Sequence, residues 1–263
     1  MSEQKEETNL LTFILILKTM KKSLIKFTLA VASCVMLFGC SHQYYAPNTQ
    51  QVPMFTEKNQ WQATGSTSFG NEVQATDIGV AYSVASHVAL MGDVNWMRGT
   101  WSDQKNFMKS GYAEFAVGYF TKIDRYGVFE IYGGLGRNAQ HHQFGYDSVT
   151  ADLNYTKFFI QPVIGYKKGK IEAGFSFRIS QINYTKRAGG DSQYEERTLP
   201  DQSTYTLIEP AFTFRVGGEN VKFQFQRQLS SPLSFDNPKW QYTPSLWSFG
   251  IHFAFGTPMD DRN

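Results

Sequence analysis

Four side chains between residues 137 and 154 are of the types that hydrolytic chemistry uses: His141, His142, Asp147 and Asp152. A histidine within hydrogen-bond reach of a carboxylate can act as a general base, which requires that the chain hold the two groups together. His252, with Ser248 on the same strand face, is a second and weaker candidate, since no acid stands near it in sequence. A larger set of ionisable residues recurs through the chain: Asp77, Asp93, Glu114, Glu130, Glu172, Arg178, Glu209, Arg215, Lys222 and His252. Set around one enclosed space, these residues would fill it as paired charges, line a narrow polar conduit, or form a small binding cavity.

What would position them is a repeated strand pattern. In Leu246–Phe255, Trp247, Phe249, Ile251, Phe253 and Phe255 share one face, and Leu246, Ser248, Gly250, His252 and Ala254 the other. Successive side chains of a strand point to opposite faces, so one face is apolar and the other small and mostly polar. Ten such segments run at about 61–69, 73–83, 87–97, 110–120, 127–136, 155–166, 170–181, 204–216, 221–229 and 245–255. Each approaches the roughly 9–11 residues of a tilted membrane strand. Tight turns follow every second strand, and longer connections at 98–109, 137–154, 182–203 and 230–244 occupy the other side. Short turns on one side and long loops on the other predict a closed, up-and-down antiparallel transmembrane β-barrel over 60–256. An even strand number returns both ends of the barrel to the short-turn side, where a periplasmic N-terminus and C-terminus are expected. Aromatic residues make up 16% of the chain, and Trp61, Trp96, Trp101, Trp240 and Trp247 near strand ends suit interfacial girdles. These ionisable residues, Asp77 to His252, fall on the inward faces. Pro162 and Pro210 fall inside strands, where a missing N–H calls for a bulge or a rim.

The first 39 residues read as an upstream extension and a signal. Met20 is the better start, with Lys21, Lys22 and Lys26 ahead of the uncharged run Phe27–Phe38. Leu37-Phe38-Gly39-Cys40 resembles the bacterial lipobox, which implies acylation of Cys40; Ser41 beside it implies sorting to the outer membrane. With Cys34 inside the signal, the mature chain has no cysteine pair for a disulfide and no zinc-type cluster. No metal or cofactor is expected beyond the covalent lipid. The chain has 25 basic and 23 acidic residues; five lysines and three glutamates precede Cys40, leaving twenty of each. A neutral mature chain gives no argument for a nucleic-acid partner. Residues 40–59 read as a lipidated periplasmic tether or plug segment, with Tyr44, Tyr45, Met54 and Phe55 set to pack under the barrel mouth. Residues 257–263 form a short tail.

The lipobox, Tyr45-Ala-Pro-Asn-Thr, Pro53-Met-Phe, Phe159-Ile-Gln-Pro-Val-Ile-Gly and Glu209-Pro-Ala-Phe-Thr-Phe-Arg-Val-Gly-Gly together resemble a family of Gram-negative outer-membrane β-barrel lipoproteins. The likeness spans residues 20–255 and implies the fold, the membrane and the lipid, with no activity attached. The motifs of outer-membrane proteases are absent, so the histidine cluster reads as a solvated loop and the chain as non-enzymatic. An outer-membrane protease or lipid hydrolase is the remote alternative. A structural or partner-binding role ranks first. The loops 137–154 and 186–201 are the candidate surfaces for a protein or glycan, the latter carrying Arg187, Asp191, Glu195, Glu196 and Arg197. A pore or small-solute barrel ranks second. Cys40→Ser is expected to abolish metabolic labelling of the chain by a fatty acid, and a persisting label would overturn the lipid assignment.

Overall fold

The computed structural model describes residues 43–70, 72–101, 106–144, 149–189, 200, 202–233 and 240–256. The strands are β1 (Trp61–Gly70), β2 (Val73–Ser83), β3 (Val88–Trp101), β4 (Asn106–Lys122), β5 (Gly127–Gln143), β6 (Thr150–Lys168), β7 (Ile171–Gly189), β8 (Thr204–Gly217), β9 (Val221–Leu229), β10 (Ser231–Pro232) and β11 (Ser245–Phe255). Each long strand pairs antiparallel with its neighbours, β8 with β9, β9 with β11, and β11 with β1, so ten strands close into a barrel. The two-residue β10 only extends the β8 edge above β9. Trp61 pairs with both Tyr82 and Phe255, which puts the start and the close of the barrel at the short-turn end.

The outward face of each strand carries exposed apolar side chains, among them Ile160, Ile164, Phe115, Phe175 and Phe249. Phe223 is 72% exposed. No water-soluble surface of this size is stable as a continuous apolar band, whereas hydrocarbon requires one. The barrel also satisfies its backbone without an edge, which a bilayer demands. Arg227 is the cation within this belt, and its guanidinium lies 4.0 Å from the Trp247 ring centre. Trp61, Trp96 and Trp247 face outward near the belt margins. Trp240 departs from the girdle expectation: it is buried inside, stacked on Tyr205 at 4.2 Å. The side chain of Trp101 lies outside the described residues.

Strands β3 to β7 are longer than their hydrophobic pattern suggests. They rise past the belt toward the long loops, so most of 98–109, 137–154 and 182–189 is strand. The pattern is harder to follow there because the outward face turns polar while the inward face carries Met108, Leu153, Tyr155, Ile182 and Tyr184, so the apolar residues change sides although the ladder continues. The prolines are accommodated without a bulge or a rim. The β6–β7 ladder pairs Ile160 with Ile179 and resumes at Val163 with Ser176 in the same register, skipping Gln161 and Pro162. Pro210 sits in an equivalent gap of β8, between Ala211, paired with Gln228 of β9, and Ile208, paired with Ser231 of β10. The register shift in this region lies elsewhere, between Asn154 and Tyr155. In the β4–β5 turn, the Tyr126 and Gly127 amides donate to the Asp124 carboxylate at 2.8 and 2.6 Å, which holds its pKa below the usual value.

Phe212→Arg, in the middle of the belt, is expected to lower unfolding stability by about 2–4 kcal/mol in lipid vesicles, against about 0–1 for Thr204→Arg near the long loops. Equal costs in denaturant titrations would contradict the assigned belt.

Candidate functional site

The interior is occupied by the chain's own N-terminal segment. Residues 43–55 are all buried, and they run as an extended strap through the barrel. At the long-loop end, Tyr44 N donates to Gln241 O, Thr243 N to Tyr45 O, and Tyr184 Oη to Tyr44 O. At the short-turn end, Phe55 packs on Phe120 with ring centres 5.7 Å apart, and Ser83 N donates to Gln60 O. Thirteen extended residues reach about 40 Å, enough to cross the roughly 30 Å of a hydrocarbon core. The strap therefore traverses the lumen, as a plug and not as a tether beneath the barrel mouth, the two readings open from the sequence.

Each level of the strap meets side chains of the wall. Tyr45 Oη donates to Glu209 Oε1 at 2.5 Å, and Tyr45 stacks on Trp240. Asn48 donates to Asp93 and accepts from Lys157 Nζ at 3.1 Å and Arg178 at 3.3 Å. Thr49 N and Oγ1 both donate to the Asp77 carboxylate, at 3.0 Å each. Gln226 accepts from Gln50 N and donates to Gln50 O, both at 2.8 Å, as a neighbouring strand would. Gln161 donates to Gln51 O, and Arg215 to Val52 O. Met54 has φ of 58°, and that left-handed turn aims the successive Met54 and Phe55 amides at the two oxygens of Glu130, at 3.0 and 2.7 Å. Pro47 and Pro53 bring no N–H into this space.

Wall glycines leave the room. A Cβ on Gly79 would come within 1.5 Å of Gln51 Nε2, and one on Gly165 or Gly174 would collide with Met54. These glycines seat the strap.

All ten ionisable residues singled out from the sequence are buried and face inward. They form separate groups. Arg178 holds Glu114 through two bonds, at 3.0 and 3.1 Å. Arg215 and Lys222 each lie 3.2 Å from Glu172 near the short turns. Glu209 accepts from Tyr45 and Ser180, with Lys157 at 3.7 Å. Lys157 was overlooked, although its odd number on β6 puts it on the inward face with Gln161. His252 pairs in register with Lys222 and so lies near the short turns. Its Nδ1 is 2.9 Å from Thr64 Oγ1, and among the described residues no carboxylate orients it. The strap residues Asn48, Thr49, Gln50 and Gln51 were also missed. The available signal was that residues 43–56 carry no charge, unlike a solvated tether.

The histidine cluster is divided by the sheet. His141 and His142 are adjacent on β5 and therefore face opposite ways. His141 Nδ1 lies 2.8 Å from Asp152 on the outside, with Lys186 3.2 Å from the same carboxylate. His142 is buried against the Tyr44 ring and Gln140. Asp147 lies outside the described residues, as do 190–199 and 201 of the candidate partner loop.

No protein-family model and no curated protein sequence matches the chain. Among solved structures, it is similar to the translocator domain of autotransporter NalP from Neisseria meningitidis, at 13% identity over 75% of this chain and 87% of that one, with a TM-score of 0.46. The outer membrane protease OmpT from Escherichia coli is similar at 10% identity over 75% and 94%, TM-score 0.41. The KdgM porin is similar at 11% over 74% and 99%, TM-score 0.38. These values describe distant barrels, and no activity is carried over from them.

Arg178→Met is expected to destabilise the barrel by about 3–5 kcal/mol, because it leaves Glu114 buried without its cation. Arg178→Met with Glu114→Leu should recover much of that loss in detergent denaturation. An exposed-pair control, Lys122→Met, should change stability by less than about 1 kcal/mol.

Proposed function

We propose that the chain is an outer-membrane lipoprotein barrel, sealed by its own N-terminal strap, with a structural or partner-binding role and no enzymatic one. The strap's passage through the lumen carries this reading. A lumen filled by thirteen buried residues, hydrogen-bonded at each level to the wall, opposes solute passage. The division of the histidine cluster and the isolation of His252 count against hydrolysis.

The strap also bears on where the lipid sits. Gln43 stands at the long-loop end, opposite Trp61 and Phe255. Cys40 precedes it by three residues, a reach of about 10 Å. An acyl group on Cys40 then belongs to the leaflet at the long-loop face, which in outer-membrane barrels is the cell exterior. Parity of the strands returns the barrel's ends to the periplasm, but the strap crosses once more.

Two measurements test this. The purified barrel is expected to be silent in a planar bilayer, and deletion of residues 43–56 to produce discrete conductance steps. Steps from the intact chain would favour the pore. A Thr49→Cys, Ser248→Cys pair, whose native hydroxyl oxygens are 3.1 Å apart, should crosslink on oxidation and keep the barrel silent. In intact cells, an epitope inserted after Ser41 should be reachable by antibody, and one after Gly256 only after permeabilisation. The reverse pattern would place the lipid in the periplasm.

A further inference from the structure

On the outer wall, the apolar belt stops abruptly. Trp96 on β3, Phe115 on β4, Leu135 on β5 and Phe158 on β6 are among its last exposed apolar residues toward the long loops. The next outward positions are Arg98, Ala113, Arg137 and Thr156, and Lys109 stands above them on β4. Arg98 and Lys109 are register partners, as are Arg137 and Thr156. All three cations are exposed, and among the described residues none makes an ion pair. Asp152, the acid just above, is already held by His141 and Lys186. Glu72 lines a neighbouring groove with Arg98.

Between these strands lies a groove of about 560 Å³. Trp96 forms one wall, and Gly111, Ala113 and Ala139 give a shallow floor. Gly111 has nothing within 4 Å of where a Cβ would stand, so the groove is open at that point. Arg137 enters from β5, and Thr156 beside it, with Asn154 and Thr185, supplies hydrogen-bonding groups.

We propose that this groove binds a phosphorylated glycolipid of the long-loop leaflet, with acyl chains on the belt below and the sugar-phosphate headgroup in the groove. Arg137 lines the groove, and Arg98 and Lys109 pair two positions beyond its Trp96–Gly111 row, so three cations beside an apolar margin complement phosphates at headgroup height. The amide and hydroxyl groups between them suit sugar hydroxyls. The lining favours a glycolipid: the groove follows the row Trp96–Gly111–Ala139–Asn154 across four strands to Thr185, and its amide and hydroxyl groups outnumber what a glycerophosphate headgroup would engage. The extensions of β4 to β6 thereby gain a role as a headgroup-height wall.

The inference rests on the membrane-spanning reading, and the test separates the two. The full-length barrel in detergent is titrated with a bisphosphorylated, acylated glucosamine disaccharide, its dephosphorylated form, and phosphatidylglycerol, with bound lipid read by native mass spectrometry. The intact chain should retain the phosphorylated glycolipid at least tenfold more strongly than either control. Arg98→Gln, Lys109→Gln and Arg137→Gln together should weaken it by about a hundredfold, at about fivefold per cation. These side chains are exposed, and heat-dependent gel mobility reports whether the variant barrel has folded. Each single variant provides a readout if the triple does not fold. Equal retention of phosphatidylglycerol, or no loss in the variants, would overturn the site. Failure of the intact barrel to insert into vesicles would instead overturn the membrane reading.

Discussion

A polypeptide enclosed in a barrel has no ladder to join, so its amides and carbonyls must find partners on the wall or remain unpaired at a cost of about 1–3 kcal/mol each. That constraint accounts for much of the interior. Gln226 hydrogen-bonds both backbone groups of Gln50, Gln161 and Arg215 donate to successive strap carbonyls, and Asp77 and Glu130 collect strap amides. The prolines of the strap reduce the number of donors to be met. Inward charges that look like a conduit's lining are largely the hydrogen-bonding surface for one particular segment.

The same arrangement settles the balance of charge. The strap carries no ionic groups, so it adds none to a space where every ion needs a counter-ion. Arg178 pairs with Glu114, and Arg215 and Lys222 with Glu172, while Asp77, Asp93 and Glu130 are met by hydrogen bonds from Asn48, Thr49, Gln51, Met54 and Phe55, which add no charge. Aromatic packing around Tyr45 and Trp240 closes the long-loop end, and Met54 and Phe55 among Phe120, Val128 and Tyr132 close the other. Apolar seals at both ends keep water from competing for the polar bonds between them.

The outer wall follows a different rule. Lipid selects apolar side chains up to a sharp margin, and above it the strands continue with polar faces. Those extensions are stable because their backbone pairs remain intact across β4, β5, β6 and β7. The prolines show how far the ladder tolerates loss: both sit where one pairing lapses for two residues while the register is kept on either side. At Pro210 the strap helps, since Gln50 Nε2 donates to the carbonyl of Glu209 at 2.7 Å.

Strand number, register side and the inward set from Asp77 to His252 were legible in the sequence because period two is a local property: each residue's face is fixed by its neighbour's. The same rule, applied to every odd position of β6, reaches Lys157, and applied to His141 and His142 it separates them. In the extensions the apolar residues move from the outward to the inward face, as at Leu153, Tyr155 and Ile182, and the apolar outward stripe that marks a membrane strand is lost, which is why they read as loops. The strap was beyond it altogether. Its contacts join residues as far apart as Thr49 and Ser248, 199 positions along the chain, and its side chains point in every direction with no repeating face. Local alternation determined the barrel; only closure of the barrel around residues 43–60 decided that the lumen is filled, because that path is set by partners contributed from nearly every strand at once.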